Sequence, residues 1–386
     1  KSFGRNCKPL NQTVKIQRKH LREYIALSLV PKIGAQRIRL LLQKVNHPQE
    51  IFRMNRSTLE QIEGIGPVLA DAVLQFNNWD RVDKILEQTE KTGAQIITYQ
   101  DEAYPKLLRE IYDPPVLFWL KGDPEVLNLP GIAVVGTRRA TDYGIEKARD
   151  FTGELIKSGL TIVSGLAYGV DSAAHQATLK SGGKTIAVLG SGIDNIYPSK
   201  NYGLAQEIAE SGGAVISEFP LGTKPDMGNF PVRNRIVSGM TLGTLVIESG
   251  LKGGSMITAQ SALTQNREVF VVPHSLENKN GVGCNHLIKR GAGKLVQSVQ
   301  DILEEIPARD VEESAETVSK EPQWKSLELD DLSVSICESL EENPLHIDEL
   351  AENLDMKSHI LLSKLLELEM QECVRQTAGK NFELIG

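Results

Sequence analysis

Gly131-Ile132-Ala133-Val134-Val135-Gly136-Thr137-Arg138-Arg139 is the stretch on which the fold turns. Its first five residues carry no charge and three of them are β-branched, the pattern of a short strand buried on both faces. Gly136 then lets the backbone turn tightly, and Arg138 projects from that turn beside the start of the next helix. The same grammar repeats downstream. Short β-branched runs occupy Thr161–Val163, Thr185–Leu189, Ala214–Ile216, Thr244–Ile247 and Val269–Val272. Amphipathic segments at Ile145–Lys157, Asp171–Leu179, Tyr202–Glu210 and Ile257–Leu263 separate them. This alternation predicts an α/β protein with a central Rossmann-like domain, its sheet mostly parallel and covered by helices on both faces. In such sheets ligands gather where strands end and helices begin.

The chemistry-bearing residues cluster at those ends. A guanidinium at Arg138 above the free N–H groups of a helix start makes a phosphate site, with Gly136 and Thr137 shaping the turn. The next strand ends in Ser164-Gly165-Leu166-Ala167-Tyr168-Gly169-Val170-Asp171, whose small residues allow close approach of a ligand and whose Asp171 suits a helix N-cap. His175, one turn on, reads as a packed helical histidine. Lys184 follows a glycine pair and can reach a phosphate as a point charge. Phe230-Pro231-Val232-Arg233-Asn234-Arg235 places two arginines and an amide after a helix-starting proline, a dense donor cluster for phosphates or base edges. Gly253-Gly254-Ser255-Met256-Ile257-Thr258 adds glycines and hydroxyls at one more helix start.

Outward from this core, residues 21–90 read as an all-α segment. Its glycine turns, Val30-Pro31-Lys32-Ile33-Gly34 and Ile62-Glu63-Gly64-Ile65-Gly66-Pro67, resemble helix-hairpin-helix modules, with Ala70, Val73 and Leu74 on one helix face. An ordinary helix corner, with glycine where positive φ is needed, is the favoured reading there, since the signal is short and such units often serve only for packing. Residues 91–130 form a proline-punctuated connector leading into the Rossmann-like domain, which extends to 305; its aromatics Tyr99, Tyr104, Phe118 and Trp119 read as packing residues. Residues 306–326 read as a linker, and 327–386 as a winged helix whose final hairpin turns at Ala378-Gly379.

Charge divides the same way. Residues 1–130 carry 19 Lys+Arg against 15 Asp+Glu, residues 131–297 carry 17 against 13, and residues 298–386 carry 7 against 22. Two mildly basic parts therefore precede a strongly acidic one, whose best partner is protein rather than DNA. The four cysteines are scattered, which predicts reduced thiols in a cytoplasmic protein and no zinc site. The basic, polar Lys1–His20 is not a signal peptide, and no run approaches the length of a membrane helix. Neither a Gly-x-Gly-x-x-Gly dinucleotide fingerprint nor a P-loop is present, and neither a Gly-x-Ser-x-Gly elbow nor a His-x-x-x-His pair occurs. No cofactor is expected.

Taken in order, Gly136-Thr137-Arg138, Ser164-Gly165-x-Ala167-x-Gly169-x-Asp171, Thr185–Gly190, Phe230-Pro231-x-Arg233-Asn234-Arg235 and Gly254-Ser255-Met256-Ile257-Thr258-Ala259 resemble the DNA-processing protein A (Smf) family. The resemblance covers roughly 100–297, and the helical front and winged-helix end match its longer members. It implies a non-catalytic protein that binds and protects single-stranded DNA, loads a RecA-type recombinase onto it, and dimerises through the Rossmann-like domain. It also implies DNA-pocket roles for Arg138 and Lys184, with Arg233, Asn234, Ser164, Gly165, Gly254 and Ser255 on neighbouring motif positions. Thr137 stands where Ser is common in the family, His274 where Gly is usual, and Gly281–Asn285 departs from the usual form near the expected subunit contact. The alternative is a nucleotide phosphoribohydrolase of the lysine-decarboxylase-like type, with Glu248 as candidate base. Its leading Pro-Gly-Gly is missing before Gly243-Thr244.

Overall fold

The computed structural model describes residues 20–306, 329–340, 345–354, 356–370, 373–377 and 380–384. The Lys1–Lys19 segment, most of the expected 306–326 linker and the Ala378-Gly379 turn lie outside the described residues. The chain divides into two compact units, one ending at Val311 and one beginning at Glu312.

The first unit opens with helices α1 (Leu21–Leu29), α2 (Ala35–Leu42), α3 (Arg56–Glu60), α4 (Pro67–Leu74) and α5 (Trp79–Lys91). Gly34 and Gly66 stand immediately before α2 and α4 with no side-chain cap. Ala70 and Val73 are buried as the pattern predicts, but Leu74 is exposed, because its position turns away from the packed face. Strands β1 (Gln95–Thr98) and β2 (Leu117–Gly122) follow, with the short helix α6 (Lys106–Arg109) between them. The expected connector is thus partly sheet. It pairs antiparallel with itself and then with a later strand, so its aromatics Tyr104, Phe118 and Trp119 are wholly buried.

The remaining elements alternate: β3 (Gly131–Val135), α7 (Asp142–Lys157), β4 (Thr161–Ser164), α8 (Val170–Lys180), β5 (Thr185–Val188), α9 (Tyr202–Glu210), β6 (Ala214–Ser217), α10 (Asn229–Gly239), β7 (Gly243–Val246), α11 (Gly254–Thr264), β8 (Glu268–Val271), α12 (Val282–Lys289), β9 (Lys294–Leu295) and α13 (Gln300–Leu303). The nine-stranded sheet runs β1-β2-β6-β5-β4-β3-β7-β8-β9, parallel from β6 to β9. It is the Rossmann-like architecture expected. The period of two along β3 assigns its faces. Ile132 and Val134 pack with Phe151 and Leu155 of α7 and Ala173 of α8. Ala133 and Val135 pack with Ile236 of α10 and Ala259 of α11. From β3 the chain steps out through β4, β5 and β6, then returns to place β7 on the other side of β3. That reversal opens a crevice beyond the carboxyl ends of the strands.

The second unit contains α14 (Asp331–Ser339), β10 (Leu345–His346), α15 (Ile347–Asn353), α16 (Ser358–Met370), β11 (Val374–Thr377) and β12 (Asn381–Leu384). Three helices and a β10-β12-β11 sheet make the winged helix, around a core that includes Ile336, Leu350, Leu361, Leu365 and Phe382. Among the described residues no helix is long and apolar enough to cross a membrane.

Candidate functional site

The crevice holds a cavity of about 400 Å³ lined by Gly136, Thr137, Arg138 and Arg139 after β3, Gly165, Ala167 and Asp171 after β4, Phe230, Arg233 and Asn234 of α10, and Gly253, Gly254 and Ser255 at the start of α11. Four separate strand or helix ends therefore converge on one place, as the motif order predicts.

Backbone geometry makes the convergence possible at two glycines in particular. Gly169 precedes α8 with φ 77°, and a Cβ there would overlap the Thr137 carbonyl oxygen, so the β3 and β4 turns touch only because it lacks a side chain. A Cβ at Gly165 would strike the Arg233 guanidinium and the Asp171 carboxylate. Asp171 does not cap α8 as expected; Gly169 occupies the cap position. The Asp171 side chain lies in the first turn and reaches back to accept from the amides of Gly165 (3.2 Å) and Ala167 (3.3 Å), bracing the turn instead.

The floor of the cavity is committed to the protein itself. Arg233 is only 4% exposed, and its Nη1 donates to the Gly165 carbonyl at 2.7 Å and to the Val188 carbonyl. Burial lowers the Arg233 pKa to about 10, opposed by the Asp171 carboxylate and assisted by Arg138, so the side chain stays a cation at neutral pH. Burial likewise raises the Asp171 pKa, against the pull of Arg233. Asn234 donates to the Gly254 carbonyl at 3.2 Å, joining α10 to α11. Ser164 is buried with its hydroxyl on the Val134 carbonyl (2.7 Å), and Ser255 donates to the Ser249 hydroxyl (2.7 Å). These residues, expected as ligand donors, build the walls; burial leaves their polar atoms facing acceptors within the chain. Arg235 leaves the site altogether. Its guanidinium binds Asp113 (2.9 Å) and Glu218 (2.7 Å) on the other side of α10, because adjacent helical residues point about 100° apart.

The rim is different. Arg138 is exposed, has no acidic partner among the described residues, and stacks over the Phe230 ring at 5.0 Å. Phe230 in turn lies against Tyr197 (5.8 Å), and Gly190 leaves room for its ring. At the start of α11 no protein group accepts from the amides of Gly254 or Ser255 among the described residues, so two N–H donors remain at the helix end.

Lys184 does not join this rim. It stands immediately before β5, and its stem lies near Gly212, just ahead of β6, at the amino end of the sheet. In a parallel sheet a residue that precedes a strand sits at the edge opposite the strand ends. Lys200, to which the sequence reading gave no role, lies on the carboxyl side of the sheet, outside the cavity lining. It is exposed on the short turn Ser199–Asn201, which Asn201 pins to the crevice side by donating to the Leu166 carbonyl (2.8 Å) and the Ser172 hydroxyl (2.9 Å). Its signal was its place after a strand end, at Tyr197-Pro198-Ser199-Lys200.

Two further residues have settled roles. His175 is wholly buried with Nδ1 on the Thr185 hydroxyl (2.7 Å), which itself donates to Ile162; Nδ1 therefore carries the proton, and burial lowers the pKa to about 3. Glu248 accepts from the Thr141 amide (2.8 Å) and hydroxyl (2.9 Å) and from Asn278 (3.2 Å), a bracing position rather than that of a base. Around the expected subunit contact, His274 exchanges two backbone–amide bonds with Asn285 and donates from Nε2 to the Ile247 carbonyl, since its Nδ1 accepts from Asn278.

Comparison with known proteins places the geometry in context. The family model described as DNA recombination-mediator protein A matches residues 95–307, and that of the DprA winged helix domain matches 320–380. The chain is 37% identical over 281 residues to Protein Smf of a Synechocystis species, covering 72% of this chain and 70% of that one. The X-ray structure of DNA processing protein A from Streptococcus pneumoniae aligns with a TM-score of 0.64 at 34% identity, over 74% of this chain and 98% of that chain. A Helicobacter pylori DNA processing protein A structure, described for its unique single-stranded DNA binding mode, aligns at 0.50 with 32% identity over 55% of this chain and 97% of that chain.

Proposed function

The chain belongs to the DNA recombination-mediator protein A family, and from that premise we propose that it is a non-catalytic DNA-processing protein that binds single-stranded DNA at the carboxyl edge of its central sheet. The observation that carries this reading is Arg138: an exposed, unpaired guanidinium stacked on Phe230 at the mouth of a crevice with an uncapped helix start. Arg138, Lys200 and the α11 amides supply phosphate contacts, while the Phe230 and Tyr197 rings offer faces to bases. Donors of this kind read backbone, so binding tolerates sequence. The engaged Glu248 supports the non-catalytic reading over the hydrolase alternative. In this role the protein serves natural transformation and recombination in the cytoplasm. It acts as a homodimer through the Rossmann-like region 91–305 and delivers the strand to a RecA-type recombinase, with the helical 21–90 and winged-helix 327–386 segments as accessory modules.

Fluorescence anisotropy of a labelled oligo-dT, with a matched duplex as control, tests the pocket across a salt series. Arg138→Ala and Lys200→Ala should each weaken single-strand binding about tenfold, the worth of a charge-assisted hydrogen bond. Each should also flatten the slope of log affinity against log salt by about 0.7. Wild-type affinity in the double variant would move the DNA site elsewhere.

A further inference from the structure

In the winged-helix unit, the apolar residues of α16 divide into two sets. Leu361, Leu365 and Leu368 are buried in the unit's own core, whereas Leu362, Leu366 and Met370 are 44%, 60% and 81% exposed. The exposed three recur at every fourth residue, so they form one ridge along the helix. Three large apolar side chains in a line on a small unit mark a contact surface rather than scattered exposure.

In a winged helix this helix is the element placed to enter a DNA groove, and here its sequence holds a single lysine or arginine, Lys364. Lys364 is held by Asp330 (2.7 Å) and Glu367 (2.6 Å), and on the hairpin Arg375 is held by Glu383 (2.5 Å). Residues 327–386 carry four Lys+Arg against fourteen Asp+Glu. The other two cations, Lys357 and Lys380, are exposed, yet a phosphate backbone would meet a large excess of like charge.

We propose that the Leu362–Leu366–Met370 ridge of α16 is a docking site for a basic amphipathic helix of a partner protein. The ridge supplies anchors at i, i+4 and i+8, which insert between the apolar residues of a facing helix. The acidity of the whole segment, fourteen carboxylates against four cations, selects lysine or arginine flanks on that helix. The proposal concerns this unit alone and does not rest on the DNA-binding reading of the sheet crevice.

The test uses the full chain and labelled designed peptides that share one leucine ridge, flanked either by Lys and Arg or by Glu. Anisotropy should show salt-sensitive binding of the basic peptide and little of the acidic one. Leu366→Ser and Met370→Ser keep the charge unchanged, and each should weaken the basic peptide about tenfold, the range of an interface anchor. Thermal midpoint and oligo-dT binding should stay at wild-type values. Equal binding of both peptides, or serine variants that bind as tightly as wild type, would overturn the proposal. Duplex DNA binding lost in the serine variants would overturn it in favour of a nucleic-acid surface, and self-association abolished by them would do so in favour of a second copy of this chain.

Discussion

At the floor of the crevice Arg233 is buried and divides its donors between the Gly165 and Val188 carbonyls, with Asp171 as the nearby countercharge. At the rim, Arg138 is exposed and touches little but the Phe230 ring. Both arginines stand in recurring motifs and both line one cavity. The difference teaches that an arginine in a binding motif serves either the binding or the shape that makes binding possible, and that burial decides which.

Breaking the floor should produce the largest effect. Arg233→Ala strands a buried Asp171 and frees two buried carbonyls, so urea unfolding should report a loss of about 3–5 kcal/mol. Arg138→Ala, judged by the same unfolding curve, should stay within about 0.5 kcal/mol of wild type, as exposed sites do. Equal losses at the two positions would erase the distinction between floor and rim.

A comparable effect, but one confined to acid pH, comes from His175, beneath the same turns. Its folded pKa of about 3 lies below the unfolded value of 6.5, so between those values the unfolded chain binds the extra proton. Its contribution to stability is therefore complete above pH 6.5 and is lost as pH falls toward 3. His175→Gln should flatten that acid limb, by roughly 4 kcal/mol at its lower end. Unfolding curves at stepped pH would detect an unchanged limb, which would mean the imidazole titrates normally. Asp171 and Glu218, whose pKa values burial raises, contribute in the opposite sense.

The smallest effect is expected at Lys184. Because it sits at the amino edge of the sheet, Lys184→Ala should change oligo-dT affinity less than about twofold, within the range of a distant surface charge. A loss matching that of Arg138→Ala would require the strand, or a second subunit, to bring the two edges of the sheet together.

These contrasts also show what was legible beforehand. The six parallel core strands and the order of motifs were readable because β-branched runs and glycine turns leave a strong periodic trace. The β1-β2 hairpin was not, since Pro105, Pro114 and Pro115 punctuate the segment and made Leu117–Leu120 read as connector. Residue type identified the donors but not their direction. Arg233, Asn234 and Arg235 are consecutive, yet one forms the floor, one ties two helices and one pairs with Glu218 outside the site. Lys184 and Lys200 were separable in principle, because strand polarity alone assigns them to opposite edges.

The indole of Trp119, on β2, donates to the Thr89 hydroxyl of α5 at 3.0 Å, and both groups are buried. Around that bond, Ile25, Leu41 and Ile85 from the helical front share one core with Leu117, Ala187 and Val215 from the sheet. The front is therefore not a detachable appendage, whatever its glycine turns contact. Cutting the chain between α5 and β1 would uncover Leu117, Ala187 and Val215 on one face of the sheet, so the fragment should aggregate and the helices and strands should melt together.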